Sequence, residues 1–385
     1  MGDMAISSTP TSLPTQEQLR QALHTVIDPE IKRPITELGM VKDIVVGDDG
    51  VVDVAIYLTV AGCPLKETLT RDTTNAVSAL DGVTGVRVEL DVMSETQRKE
   101  LQTQLRGGKP ERQIPFAQPS SRTRVYAIAS GKGGVGKSSV TVNLAAALAS
   151  RGLSVGVVDA DIYGFSVPDM LGVKQPPTKV EKMIMPPVAY GIKVISIGMF
   201  TPDNSAVVWR GPMLHRALEQ FLSDVYWGDL DVLLIDLPPG TGDIAISVAQ
   251  LVPTAEIVVV TTPQQAAAQV AERAGSISTQ THQQVIGVVE NMSWLELEDG
   301  RRVDVFGTGG GQAVSDALTT MMGTSVPLLS QIPLDPRLRE CGDTGRPFVL
   351  DYPGSPAAVA LLAVADRLAT RGASLVGRSL SLTPV

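Results

Sequence analysis

The chain is 385 residues long and 43% hydrophobic against 19% charged, a balance that excludes a disordered polymer and suffices for two packed domains. Its net charge of −9 argues against indiscriminate binding to nucleic acid or anionic lipid, and two cysteines, Cys63 and Cys341, are too few for a disulfide framework. The opening MGDMAISSTPTSLP lacks the basic head and apolar core of a signal peptide, and the apolar run from Ala357 to Ala365 is too short to span a bilayer. The expected setting is therefore the cytoplasm, with no membrane and no nucleic acid as partner.

In chain order, residues 1–14 read as a flexible tail. Thr15 and Gln18 then form a capping box for a helix that carries Leu19, Ala22, Leu23, Val26 and Ile27 at helical spacing, with Pro29 expected to stop it. Residues 41–46 and 51–60 read as strands joined across GDDG, and a helix is expected from Pro64, with Leu65, Leu69, Ala76, Val77 and Leu80 on one face. A strand over 83–92 and a helix in SETQRKELQTQL complete a small α/β domain over residues 15–106. Residues 107–123, rich in Gly, Pro and Ser, read as a linker. From 124 to 372 short apolar strands alternate with helices, at 125–129, 154–158, 193–197, 232–236, 256–261, 285–289 and 327–331. Their continuous apolar character predicts burial on both faces, hence a mostly parallel sheet flanked by helices. Residues 373–385 read as a second flexible tail.

The chemistry concentrates in VYAIASGKGGVGKSSV. Gly131, Gly136, Lys137 and Ser138 match G-x-x-x-x-G-K-[ST], after an apolar strand and at the start of a helix. The nucleotide phosphates are expected to sit in the loop formed by Gly131, Lys132, Gly133, Gly134, Val135, Gly136, Lys137, Ser138 and Ser139. Backbone N–H groups there turn inward, Lys137 reaches the terminal phosphates, and the Ser138 hydroxyl holds Mg²⁺. VGVVDADIYG places Asp159 at a strand end with Asp161 two residues on, and VLLIDLPPGTGD places Asp236 after four apolar strand residues. Each aspartate alone could simply satisfy turn N–H groups. Three at successive strand ends point to a ligand site: Asp159 and Asp236 with Ser138 for Mg²⁺, and Asp161 for orienting an attacking water.

The second loop lysine, Lys132, makes the stretch resemble the KGGVGK[ST] loop of the deviant Walker ATPases, the class that includes MinD, ParA and the nitrogenase iron protein. That resemblance implies a catalytic role for Lys132 together with Lys137 and Asp161. In that class the extra lysine crosses a homodimer interface to the partner's nucleotide. The stretches DADIYGFSVPDMLG, VVWRGPM, LDVLLIDLPPGTGD, TTPQQAA, ENMSW, FGTGGG and IPLDPRLRECGDTGRP further resemble the Mrp/ApbC iron–sulfur cluster carriers. VIDPE, ITELGMV and LTVAGCPL in the first domain resemble SufT and PaaD-type assembly factors. The likeness implies an α/β P-loop NTPase preceded by a small α/β domain. It implies slow, Mg²⁺-dependent ATP hydrolysis and delivery of clusters to iron–sulfur apoproteins, or work with assembly factors. It also implies that Asn291 reads the adenine edge, with Pro333 and Asp335 closing over the base.

One departure bears on the cargo. Between NMSW and FGTGGG the family usually carries C-x-x-C, whereas this chain has LELEDGRRVDV, whose Glu296, Glu298 and Asp304 are hard oxygen ligands unsuited to a cluster. Cluster binding is thus left open, with Cys63 in GCPL, at an expected helix start, as the remaining candidate ligand. An ATPase adaptor that holds no cluster is the alternative. A MinD/ParA-like positioning switch is a weaker one, since the tail GASLVGRSLSLTPV has no basic amphipathic pattern. An electron-donating iron protein would need a cysteine soon after Asp236, and LPPGTGDIAISVAQ has none.

Overall fold

The computed structural model describes residues 13–59, 66–105, 114–118, 120–162, 164–181, 183–200, 211–240, 242–264, 267–297 and 299–370. They fall into two compact units, one drawn from Met1–Glu111 with Thr178–Met185, the other from Arg112–Pro177 and Pro186–Val385.

The smaller unit opens with α1 (Gln16–His24), whose Thr15 cap accepts from the Gln18 N–H while the Gln18 side chain returns the bond, as the capping box predicts. The helix ends well before Pro29, because Thr25 already turns its N–H onto the Ala22 and Leu23 carbonyls. Three strands follow, β1 (Val41–Val46), β2 (Val51–Leu58) and β3 (Gly85–Val92), with α2 (Lys66–Ser78) between the last two and α3 (Glu95–Leu105) after them. β2 lies in the middle, antiparallel to β1 and parallel to β3. Its alternation buries Val52, Val54, Ile56 and Leu58 on one face, against a core that includes Leu19, Leu23, Leu69 and Val77. Cys63 and the start of the expected helix at Pro64 lie outside the described residues.

This unit also contains a hairpin from much further along the chain, β6 (Thr178–Val180) and β7 (Met183–Met185). Arg98 of α3 pairs with Glu181 at 3.0 Å, and the Thr178 hydroxyl donates to Glu30 at 3.1 Å. Nothing in the sequence pattern announces the hairpin, since strands of three residues are too short to carry a periodicity.

The larger unit is built on a sheet of nine strands among the described residues. Its centre is formed by β4 (Arg124–Ala129), β5 (Val155–Asp159), β10 (Val232–Asp236) and β11 (Glu256–Thr261). β8 (Val188–Ala189) and β9 (Ile192–Ser196) complete one side. On the other, β12 (Val285–Glu296) pairs with both β13 (Arg302–Val303) and β14 (Leu328–Leu334). The central strands are parallel and buried on both faces, as their unbroken apolar runs require. α4 (Lys137–Ser150) is apolar nearly all round and buried accordingly, with Val140, Leu144, Ala147 and Leu148 in a core shared with α11 (Phe348–Asp351) and α12 (Pro356–Thr370). α5 (Val167–Met170), α6 (Gly211–Ser223), α7 (Asp243–Leu251), α8 (Ala267–Thr281), α9 (Gly310–Met322) and α10 (Pro336–Thr344) are the remaining helices described. Phe116, within the stretch read as linker, is buried edge-on against Trp227 at 6.3 Å. β12 runs seven residues past its expected end at 289. It keeps partners, pairing with β14 up to Leu295 and with β13 at Leu295 and Glu296. Its course breaks at Met292, whose φ of 58° is in the left-handed region. No helix among the described residues is long and apolar enough to cross a membrane.

Glu30 gives the smaller unit a pH response. Burial, reinforced by the nearby Asp28 charge, pushes its carboxyl up to about 7 from an ordinary 4.5, and burial raises Asp28 as well. The folded state therefore favours neutral Glu30. The associated stability is complete below about pH 4.5 and is lost as pH rises through about 7. Thermal melts are expected to lose stability across that window, and Glu30→Gln should flatten the curve by restoring on the order of 2 kcal/mol at the alkaline end.

Candidate functional site

The parallel registers set Asp159, Asp236 and Ser196 side by side: Asp236 pairs with Asp159 across β10 and β5, and Asp159 with Ser196 across β5 and β9. β4 ends on the other side of β10 and runs through Ser130 into the glycine-rich loop, whose start is tied down by the Gly240 N–H donating to the Ser130 carbonyl at 2.9 Å. The loop closes at Gly136, with φ 79°, the N-cap of α4. A side chain there would be strained by that φ, and its Cβ would collide with the Asn291 amide nitrogen, so only glycine fits. The first turn of α4 thus presents its free N–H groups at the sheet's carboxyl edge, a favourable place for phosphate.

Asp236 organises the side chains. It is fully buried and receives the Lys137 ammonium at 2.8 Å, the Ser138 hydroxyl at 2.6 Å on the same oxygen, and the Thr141 hydroxyl at 2.7 Å on the other. Asp159 is also fully buried and accepts from the Asp161, Ser166 and Val167 N–H groups and the Ser196 hydroxyl at 3.1–3.3 Å. Burial, with the Asp236 charge second, pushes Asp159 up to about 7. A cation near both carboxylates would offset that cost. Two carboxylates and a serine hydroxyl, all hard oxygens, are a donor set suited to Mg²⁺. Asp161 is buried and accepts from the Gly164 N–H at 3.1 Å.

Lys137, Ser138, Asp159, Asp161 and Asp236, predicted from the sequence, are therefore brought to one edge of the sheet. Lys132 lies on the same loop, its ammonium donating to the Gln264 side-chain oxygen. The Ser139 hydroxyl faces the Met170 sulfur at 3.9 Å. Asn291 meets the loop, its amide donating to the Val135 carbonyl at 2.9 Å, and Pro333 follows Ile332, which pairs with Asn291 across β12 and β14. Asp335 caps α10 through the Arg337 N–H at 3.0 Å and pairs with the Arg337 guanidinium at 2.6 Å. Three residues escaped sequence reasoning: Thr141, Ser196 and Gln264. Thr141 alone left a signal, lying four residues after Lys137 and so on the same helix face.

The usual C-x-x-C cluster ligands have no counterpart in the sequence. Cys341 is buried at 3% exposure and burial raises its thiol further, away from the thiolate that iron requires. Among the described residues no group of three or more His, Cys, Asp or Glu side chains is placed to hold a metal ion.

Known proteins share both the sequence and this architecture. The family model described as ParA, NUBPL iron-transfer P-loop NTPase, matches residues 121–369, and the model described as iron-sulfur cluster assembly protein matches residues 16–90. The iron-sulfur cluster carrier protein of Mycobacterium tuberculosis (strain ATCC 25618 / H37Rv) is 64% identical over 366 residues, spanning 95% of this chain and 96% of that one. The iron-sulfur cluster carrier protein of Bacillus subtilis (strain 168) is 39% identical over 332 residues, 83% of this chain and 88% of that one. Among solved structures, the nucleotide-binding protein of Archaeoglobus fulgidus in complex with ADP is similar at a TM-score of 0.50 and 35% identity. The match covers 60% of this chain and 93% of that chain.

Thr141 supplies a test of the network independent of turnover. Thr141→Val keeps the shape but removes the hydroxyl from a fully buried carboxylate oxygen. Urea unfolding should register a loss of about 1–3 kcal/mol, the usual cost of an unsatisfied buried acceptor.

Proposed function

The chain belongs to the NUBPL iron-transfer P-loop NTPase family, and from that premise we propose that it is an ATP-binding and ATP-hydrolysing iron–sulfur cluster carrier or assembly factor. In this reading two copies sandwich their nucleotides between them, in the cytoplasm, and clusters pass as cargo to apoproteins. The observation that carries it is the convergence of Lys137, Ser138, Asp159 and Asp236 on one glycine-rich loop at the carboxyl edge of a parallel sheet.

Placement supports the following roles. Residues Gly131 to Ser139 wrap the phosphates with backbone N–H groups, and Lys137 moves its charge from Asp236 to the terminal phosphates. Ser138, Asp236 and Asp159 hold Mg²⁺, which when bound neutralises charge on the transferring phosphoryl group. Asp161 orients the attacking water as the bond to the terminal phosphoryl breaks and ADP departs. Lys132 acts on the partner's nucleotide, adding positive charge where negative charge develops. Asn291, Pro333 and Asp335 lie on the base side. The second reading, an adaptor that grips apoproteins without holding a cluster, is favoured by the absence of C-x-x-C from the chain, with Cys341 buried. If a cluster is held, Cys63 is the better ligand.

Nucleotide titration with fluorescent ATP tests the first part. Lys137→Ala should abolish binding, whereas Asp161→Ala should preserve binding and slow turnover by roughly a hundredfold or more, the usual scale for a lost proton-handling group. Unchanged affinity in Lys137→Ala would refute the site.

Anaerobic reconstitution with iron and sulfide tests the cargo. Carriage predicts a cluster chromophore that Cys63→Ser eliminates and Cys341→Ser spares. Protein that stays colourless and iron-free supports the adaptor.

A further inference from the structure

Lys132 is not idle within a single chain. Its ammonium donates to the Oε1 atom of Gln264, so the group proposed to serve a second copy already has an acceptor at home. The sheet makes this contact natural. β11 and β4 are parallel neighbours with Val259 beside Ala129, so the residues leaving β11 at Thr262 to Gln264 emerge next to those leaving β4 at Ser130 to Lys132. The same neighbourhood is fastened a second time. Arg273 of α8 donates to the Gly131 carbonyl at 2.5 Å, and Val270 packs so closely that a Cβ on Gly131 would lie 2.8 Å from its Cα. Pro263 is buried beside Gln264, while Gln264 itself is exposed. The backbone is therefore anchored and the amide group is free to be exchanged.

We propose that Gln264 is a positioning residue that retains Lys132 on its own chain, so that the lysine reaches a partner's nucleotide only by giving up this acceptor. The inference rests on the trans role of Lys132 given above. A neutral amide suits such a temporary hold. It satisfies the ammonium without the Coulomb attraction that a carboxylate would add, and a phosphate can displace it. Retention restrains a lone chain from presenting its lysine and moves half-maximal hydrolysis to higher protein concentration. An exposed contact of this kind is worth about two- to fivefold in an equilibrium.

Two measurements on the full chain test it, using Gln264→Leu and Gln264→Glu. In nucleotide-free monomer, brief acetylation with an N-hydroxysuccinimide ester, read by mass spectrometry of the Lys132 peptide against the Lys42 peptide, reports access to the amine. Labelling should rise about two- to fivefold in Gln264→Leu and fall in Gln264→Glu. Turnover against protein concentration should reach half-maximum at lower concentration in Gln264→Leu and at higher concentration in Gln264→Glu, with ATP affinity of the single chain unchanged in both. Opposite signs for the two variants exclude a merely structural effect. Equal labelling in all three proteins, or turnover shifted the same way by both variants, overturns the retention role. Full activity in Lys132→Ala would instead overturn the trans reading on which it stands, and labelling would still report whether Gln264 holds the amine.

Discussion

Asp236 is the constraint from which the site follows. A carboxylate at the end of a central strand, with no exposure to water, is tolerable only if its oxygens are met by donors, and the first five residues of α4 provide three. Lys137, Ser138 and Thr141 therefore fix the rotation of α4 about its axis. The glycine-rich loop must then close over the small gap between β4 and that helix. Removing the carboxylate would leave a buried ammonium without its counter-charge, a loss on the order of 3–5 kcal/mol, so stability and nucleotide chemistry share one group. The neighbouring Asp159, pushed up to about 7 by burial first and by the Asp236 charge second, shows what the buried sheet edge costs a second carboxylate.

How much of this was legible beforehand depended on the range of the interaction. The loop motif, the strand-end aspartates and the apolar strands are local signals, and each element was found where its pattern lies. The same holds for the Thr15 capping box, a contact over three residues. Contacts across the sheet were not legible. Ser196 donates to Asp159 from 37 residues away and Gln264 meets Lys132 from 132 residues away, so neither leaves a spacing to read. The β6–β7 hairpin failed for a different reason: three-residue strands have no period. β12 exceeded its expected length because its continuation is held by pairing with β13 and β14 rather than by apolar character.

Asn291 illustrates how one residue can be recognised and still be incompletely read. Likeness to a family implied a contact with the nucleotide base. The structure adds a bond to the Val135 carbonyl and a close approach to Gly136 that any Cβ there would have to push aside. Both follow from where β12 passes, and Glu290, immediately before it, is equally committed: its buried carboxylate accepts from the Gly311 N–H at the start of α9 and from the Gln331 amide. The strand, the loop and the helix start are thereby held as one polar cluster in an otherwise apolar layer.

Met292 stands where that cluster ends, with its backbone in the left-handed region, and it divides β12 into two differently held parts. Upstream, β12 is committed on both edges to the sheet; downstream, its antiparallel pairing with β13 is confined to Leu295 with Val303 and Glu296 with Arg302, braced by Arg302 lying 4.3 Å over the Trp294 ring. The turn of chain beyond the kink is attached to the nucleotide fold but contributes little to its core. Glu296 and Asp304 there are exposed, so thiolates in their place would ask little of the packing of the nucleotide fold.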